Sequence, residues 1–186
     1  MRSMTQLKSG HPTKPRRSGT GGEPTTKRYL GFDPGIAITG YGVVERRGSE
    51  TTCLTYGVIR TPKTTAHHER LVTIHEAVRD TIAKYKPNLI GVETLIFARN
   101  VTTAIPVGEA RGVILLAIAE AKIPILELTP LQVKQALTSY GRAEKQQVQY
   151  TVRQILHLRE TPQPDDAADA LAVALATEQW ATSLLR

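Results

Sequence analysis

Apolar positions along this chain follow two rhythms, a period of two in some segments and of three to four in others. Arg28 to Gly35 is a short apolar run that ends at the turn signal Asp33-Pro34-Gly35. Ile38 to Arg46 and Thr51 to Arg60 read as two more strands, the latter rich in Thr, Val and Ile. Their links are short, which predicts an antiparallel meander. From about Ala66 to Tyr85, Leu71, Ile74, Val78 and Ile82 recur at i, i+3, i+7 and i+11, one face of a helix. Lys86-Pro87-Asn88 breaks that helix. Leu89 to Glu93 reads as a strand, Val101 to Ala121 as a helix and Ile123 to Leu128 as a strand. Thr129-Pro130 is an N-cap followed by proline at the first helical position, opening a helix through about Thr138. Two more helices are expected, from about Ala143 to Leu158 and from Asp165 to about Ala181.

The predicted order is three strands, then helix, strand, helix, strand and three helices. Strands separated by helices imply parallel crossovers. The expectation is an α/β domain of the RNase-H-like type. Its five-stranded mixed sheet has three antiparallel strands, then parallel ones, with helices on both faces.

Charge divides the chain. Its 186 residues carry 24 Lys and Arg against 17 Asp and Glu, a formal +7 that suggests an anionic partner, nucleic acid before membrane surface. Residues 1–27 hold six of the basic residues against Glu23 alone. That segment has one leucine and abundant Gly, Pro, Ser and Thr, so it is expected to be a disordered basic tail before a folded domain at 28–186. The single cysteine, Cys53, excludes an intrachain disulfide framework and fits the core of a reduced, cytoplasmic protein. The longest apolar run, Val113 to Ala119, is too short to cross a bilayer, and no membrane partner is expected.

Most charged residues on a folded domain are solvated. Four carboxylates here are placed otherwise. Asp33 and Glu93 each end an apolar strand. Asp166 and Asp169 open the last helix at i, i+3 spacing, which sets both on one face. Strand ends of an open α/β sheet are where ligands bind. A carboxylate cluster there is tolerable when protonated or bound to cations. Oxygen-only donors select hard ions, Mg²⁺ or Mn²⁺. Individually, each acid has a structural reading as well. Asp33 suits a turn before Pro-Gly, Asp166 complements a helix dipole, and Asp165 after Pro164 can serve as an N-cap.

Tyr29-Leu-Gly-Phe-Asp33-Pro-Gly-Ile-Ala-Ile-Thr-Gly40-Tyr-Gly-Val-Val-Glu45 resembles the opening of RuvC-type Holliday junction resolvases. Gly91-Val-Glu93 continuing to Ala98-Arg-Asn100, Glu109-Ala-Arg-Gly112 and Asp166-Ala-Ala-Asp169-Ala-Leu-Ala172 are similar in the same way, so the likeness spans about residues 28–178. The resemblance implies a homodimeric endonuclease that pairs nicks in a four-way DNA junction during recombination and repair. It implies Asp33, Glu93, Asp166 and Asp169 as catalytic acids and ligands of two Mg²⁺ or Mn²⁺ ions per subunit, and RuvA and RuvB as branch-migration partners. Lys134 and Lys145 match the family's functional lysines, within a segment that also carries Arg142, and Arg99 is a further DNA-contacting candidate. Two departures stand out. Where the family has a base-stacking Phe this chain has Ile96, with Phe97 next to it, and Ser139 replaces a glycine in a common Gly-x-Gly turn.

Three rival readings have distinct signatures. A sugar kinase or actin-like ATPase shares a related fold but needs a second domain to enclose ATP. A silent junction-binding protein would bind without cleaving. A ribonuclease H would prefer an RNA–DNA hybrid.

Overall fold

The computed structural model describes residues 25–95 and 101–183. Ile96, Phe97 and Arg99, and the tail through residue 24, lie outside the described residues. The described elements are β1 (Thr26–Asp33), β2 (Ile38–Arg47), β3 (Glu50–Arg60), α1 (His67–Tyr85), β4 (Leu89–Glu93), α2 (Val101–Glu120), β5 (Ile125–Leu128), α3 (Pro130–Thr138), α4 (Lys145–Ile155) and α5 (Asp165–Ser183). The five strands form one sheet in the order β3-β2-β1-β4-β5. β1, β2 and β3 pair antiparallel, while β4 pairs parallel with both β1 and β5. The expected mixed sheet is the observed one.

The elements follow local chemistry, and their edges differ from expectation for identifiable reasons. β1 starts two residues inside the segment read as tail, because Thr26 and Lys27 pair with Arg47 and Arg46. β5 starts at Ile125, since Pro124 has no N–H for a ladder; its carbonyl instead accepts from Ile90 N at 3.1 Å. α3 opens as expected, with a reciprocal capping box between Thr129 and Gln132 and Pro130 in the first turn. α4 is shorter than expected and begins at Lys145, after a turn in which Ala143 N bonds Tyr140 O at 3.1 Å. Asp165 is not the cap of α5 but its first residue.

The sheet separates two apolar layers. On one face, Leu30, Phe32, Val43, Ile90 and Val92 pack with Ile74 and Val78 of α1 and Ile114 and Ile118 of α2. The helical face expected for α1 is the one buried there, with Leu71 partly covered. On the other face, Tyr29, Val44 and Leu128 pack with α3, α4 and the Ala/Val/Leu side of α5. Cys53 packs at the margin of this second layer and is half-buried rather than central.

α5 lies close on the sheet because glycines receive it. A Cβ at Gly31 would overlap the backbone of Ala170 and Ala174. One at Gly40 would overlap the Asp166 carbonyl. Backbone against backbone leaves no flexible atom to yield, so these glycines set the height of α5 above the strands.

Candidate active site

Phe32 and Val92 are partners in the parallel β1–β4 ladder, and both are fully buried. The next residues, Asp33 and Glu93, therefore leave the sheet side by side at the same end. Across β1, Asp33 is paired with Gly40, the glycine on which the first turn of α5 rests. That contact brings Asp166 and Asp169 over the two strand ends. Four acids from three separate stretches of the chain are thus assembled by ladder register and a helix–glycine contact.

The electrostatics show that they meet. Burial pushes the Asp33 carboxyl up to about 8, with Glu93, Asp169 and Asp166 adding like charge and Lys145 opposing. Burial and Asp169 push Glu93 up to about 7, while a hydrogen bond with Asp33 and the charges of Lys134 and Lys145 pull it back. A hydrogen bond between two carboxyls needs a proton on one of them, since ionised carboxylates have no donor between them. Asp169 is also raised, by burial first, although the bond from Lys145 works against it.

The two lysines enter from α3 and α4. Lys145 Nζ lies 2.9 Å from Asp169 Oδ2 and 3.2 Å from Asp165 Oδ2. Asp165 is exposed, and it also accepts a hydrogen bond from Gln149 Nε2 at 3.2 Å. Glu93, Asp169, Lys134 and Lys145 line a concavity of about 180 Å³ with Val133 and Val148 at its wall. A larger hollow of about 600 Å³ lies on the α1–α2 seam, lined by Glu76, Arg79 and Glu120, and holds none of these residues. Arg142 is exposed in the turn between α3 and α4. Ser139 caps α3 in the left-handed region at φ 58°, and its N–H bonds Gln135 O at 2.9 Å. The substitution of serine for glycine therefore keeps the turn rather than altering it.

The donor set suits a hard divalent cation. It consists of carboxylates, three of which are held above their ordinary range by burial and by one another's charge, and one ammonium is already drawn among them. Among the described residues, no three acidic, imidazole or thiol groups close into a ready-made cage. Lys145 stands between Asp165 and Asp169 as a built-in counter-ion. The role of Asp165 escaped the sequence because its partners, Lys145 and Gln149, belong to another helix. Its one sequence signal is an extra acid directly before Asp166.

The family model for the crossover junction endodeoxyribonuclease RuvC matches residues 29–177. The chain belongs to the RuvC family. A RuvC from Heliobacterium modesticaldum is 56% identical over 146 residues, covering 78% of this chain and 90% of that relative. The solved structure of Thermus thermophilus RuvC superposes with a TM-score of 0.78 at 38% identity, covering 84% of this chain and 96% of that one. The same protein in complex with Holliday junction substrate gives 0.77 at 36% identity, with the same coverage. The yeast mitochondrial Holliday junction resolvase Ydc2 shares the fold, with a TM-score of 0.62 at 18% identity over 89% of this chain and 85% of that one. The span matched to the RuvC family contains all four acids of the cluster and both lysines beside it. No helix among the described residues is long and apolar enough to cross a membrane.

Proposed function

We propose that this chain resolves four-way DNA junctions by hydrolysing one phosphodiester in each of two symmetric strands, leaving 5′-phosphate and 3′-hydroxyl ends. The observation that carries this reading is the half-buried acid cluster of Asp33, Glu93 and Asp169 faced by Lys134 and Lys145. The relative whose structure holds a Holliday junction shares this fold over most of its length.

In this reading Asp33, Glu93, Asp166 and Asp169 hold divalent cations, Mg²⁺ or Mn²⁺, two per subunit. Such ions supply water activation and neutralise charge on the leaving oxygen when bound. The protein residues do the rest. Lys134 and Lys145, at the rim of the concavity, pair with the phosphate and stabilise the charge that grows on it. The apolar layer behind Asp33 and Glu93 keeps bulk water from screening those charges. Arg142, exposed in the turn shortly before Lys145, extends the basic contact.

Paired nicking requires two sites related by symmetry, so the working unit is a homodimer. Val72 of α1 and Ile105 and Leu116 of α2 are more than half exposed, and that apolar surface suits a second copy. RuvA and RuvB are the expected branch-migration partners, in the bacterial cytoplasm.

The test uses a synthetic mobile four-way junction, linear duplex and an RNA–DNA hybrid, each with Mg²⁺. Paired nicks in the junction alone are expected from the wild type, and none from Asp33→Asn. Full nicking by Asp33→Asn would sink the site assignment, and preferred cleavage of the hybrid would replace the substrate.

A further inference from the structure

The segment Glu109-Ala-Arg-Gly112 of α2 has no part in the chemistry above, yet its side chains reach three parts of the fold. Glu109 Oε2 is 2.6 Å from His67 Nε2 and ties α2 to α1. Ala110 is fully buried in the core. Arg111 points to the end of the sheet. Its Nε donates to the backbone carbonyl of Glu93 at 3.2 Å, and its guanidinium pairs with the Glu127 carboxylate of β5. The arginine side chain is 20% exposed, so it is largely committed to these partners.

We propose that Arg111 is a positioning residue for Glu93, and through it for the cation site; this rests on the acid cluster being that site. The β1–β4 ladder ends at the Phe32–Val92 pair. Beyond it Pro34 follows Asp33 and brings no N–H with which to extend the pairing. On the β5 side, Thr94 N bonds Leu128 O at 2.8 Å. The Glu93 peptide is therefore held by β5 on one flank and by the Arg111 fork on the other. Glu127 is in register with Val92, one residue before Glu93, so one guanidinium grips both strands at the level where the carboxylate leaves the sheet.

Arg111 works through place rather than charge. The cations acting on the Glu93 carboxyl are Lys134 and Lys145. A guanidinium on the backbone carbonyl instead fixes the Cα from which that carboxyl projects. Outer residues of this kind change metal affinity or turnover by about 10- to 100-fold when removed. Lysine cannot replace it, because a single ammonium does not present the planar fork that serves a carbonyl and a carboxylate together.

The test compares wild type, Arg111→Gln, Arg111→Lys and Glu127→Gln. Mn²⁺ binding is measured without DNA by electron paramagnetic resonance, junction cleavage gives kcat and KM, and melting curves report folding. Arg111→Gln and Arg111→Lys are expected to bind Mn²⁺ about tenfold more weakly and to lose kcat, with KM for the junction within about twofold of wild type. Glu127→Gln keeps the carbonyl bond and is expected to stay within about threefold of wild type in Mn²⁺ affinity. Arg111→Lys retains a cation for Glu127, so it reports positioning if Arg111→Gln fails to fold. Wild-type Mn²⁺ affinity in a folded Arg111→Lys would overturn the proposal. So would an equal loss in Glu127→Gln, which would assign the effect to the ion pair. If wild type binds Mn²⁺ and leaves junctions uncut, while the Arg111 variants still bind Mn²⁺ weakly, the substrate reading fails and the positioning role stands.

Discussion

Lys145 Nζ sits 2.9 Å from Asp169 Oδ2, an ammonium from α4 resting on an acid of α5 that faces the strand ends. The lysine side chain is about half exposed, so the pair adds little to stability. Its consequence is placement, because a mobile side chain is kept at the mouth of the acid cluster. Lys145→Gln should melt within about 2 °C of wild type. Its cleavage of a four-way junction should fall on the order of a hundredfold, as when one charged stabiliser of a transition state is removed. Wild-type turnover in that variant would assign Lys145 to solvent.

Asp33 and Glu93 make stability depend on pH in an unusual direction. Both are raised above their ordinary values, to about 8 and about 7. The folded state therefore binds protons that the unfolded chain has released across this range. Stability is full below the ordinary carboxylate range and is lost as pH rises through about 7 to 8. The metal-free protein should melt at a higher temperature at pH 5 than at pH 8, and Mn²⁺ should restore the loss at pH 8 by replacing the protons. A chelated sample that melts higher at pH 8 would contradict the raised carboxyls.

The same argument predicts that Asp33→Asn is stabilised, while the proposed site predicts that it is inactive. An amide can donate to Glu93 and removes one half-buried negative charge. One pKa unit corresponds to about 1.4 kcal/mol. At pH 8 without metal, Asp33→Asn should therefore melt at least about 3 °C above wild type, an amount that suits a chain of this size. Calorimetry at pH 8 and pH 5 checks it, since the advantage should shrink at the lower pH, where the wild-type carboxyl is protonated in the folded state.

The acids at strand ends were legible because a charge closing an apolar run breaks the pattern. Asp33 and Glu93 both did so, and the ladder register turned two separate breaks into neighbours. α1, β4 and α3 were legible from periodicity, Pro-Asn and Thr-Pro. The approach of α5 was not, since Gly31 and Gly40 look like ordinary strand glycines until the helix is laid on them. The grips of Lys145 on Asp165 and of Arg111 on the Glu93 carbonyl were equally invisible. They join residues from separate elements, and one partner is a backbone atom that every residue possesses.

Gly31 offers the sharpest packing test. A methyl there would meet the backbone of Ala170 and Ala174, which can move only if α5 moves. Overpacking a rigid contact costs about 1–3 kcal/mol. Gly31→Ala should lower the melting temperature by several degrees and also weaken cleavage, because lifting α5 carries Asp166 and Asp169 away from Asp33. Unchanged melting would show that the helix has room to spare.

The distribution of charge separates the first residues from the enzyme. Residues 25–186 hold 19 basic and 16 acidic residues, so setting aside the four acids of the cluster leaves a domain with +7 for DNA. Residues 1–24 carry five basic residues and one acid. Cleavage is expected to depend on the former, and the latter to add salt-sensitive affinity. Deleting residues 1–24 should leave junction cleavage at low salt within about tenfold of wild type. The plot of log affinity against log salt should flatten by up to about 4, near 0.9 for each phosphate that the shortened chain no longer neutralises. Fluorescence anisotropy in Ca²⁺ across a salt series measures that slope, and complete loss of junction binding at low salt would move the essential charge into the first 24 residues.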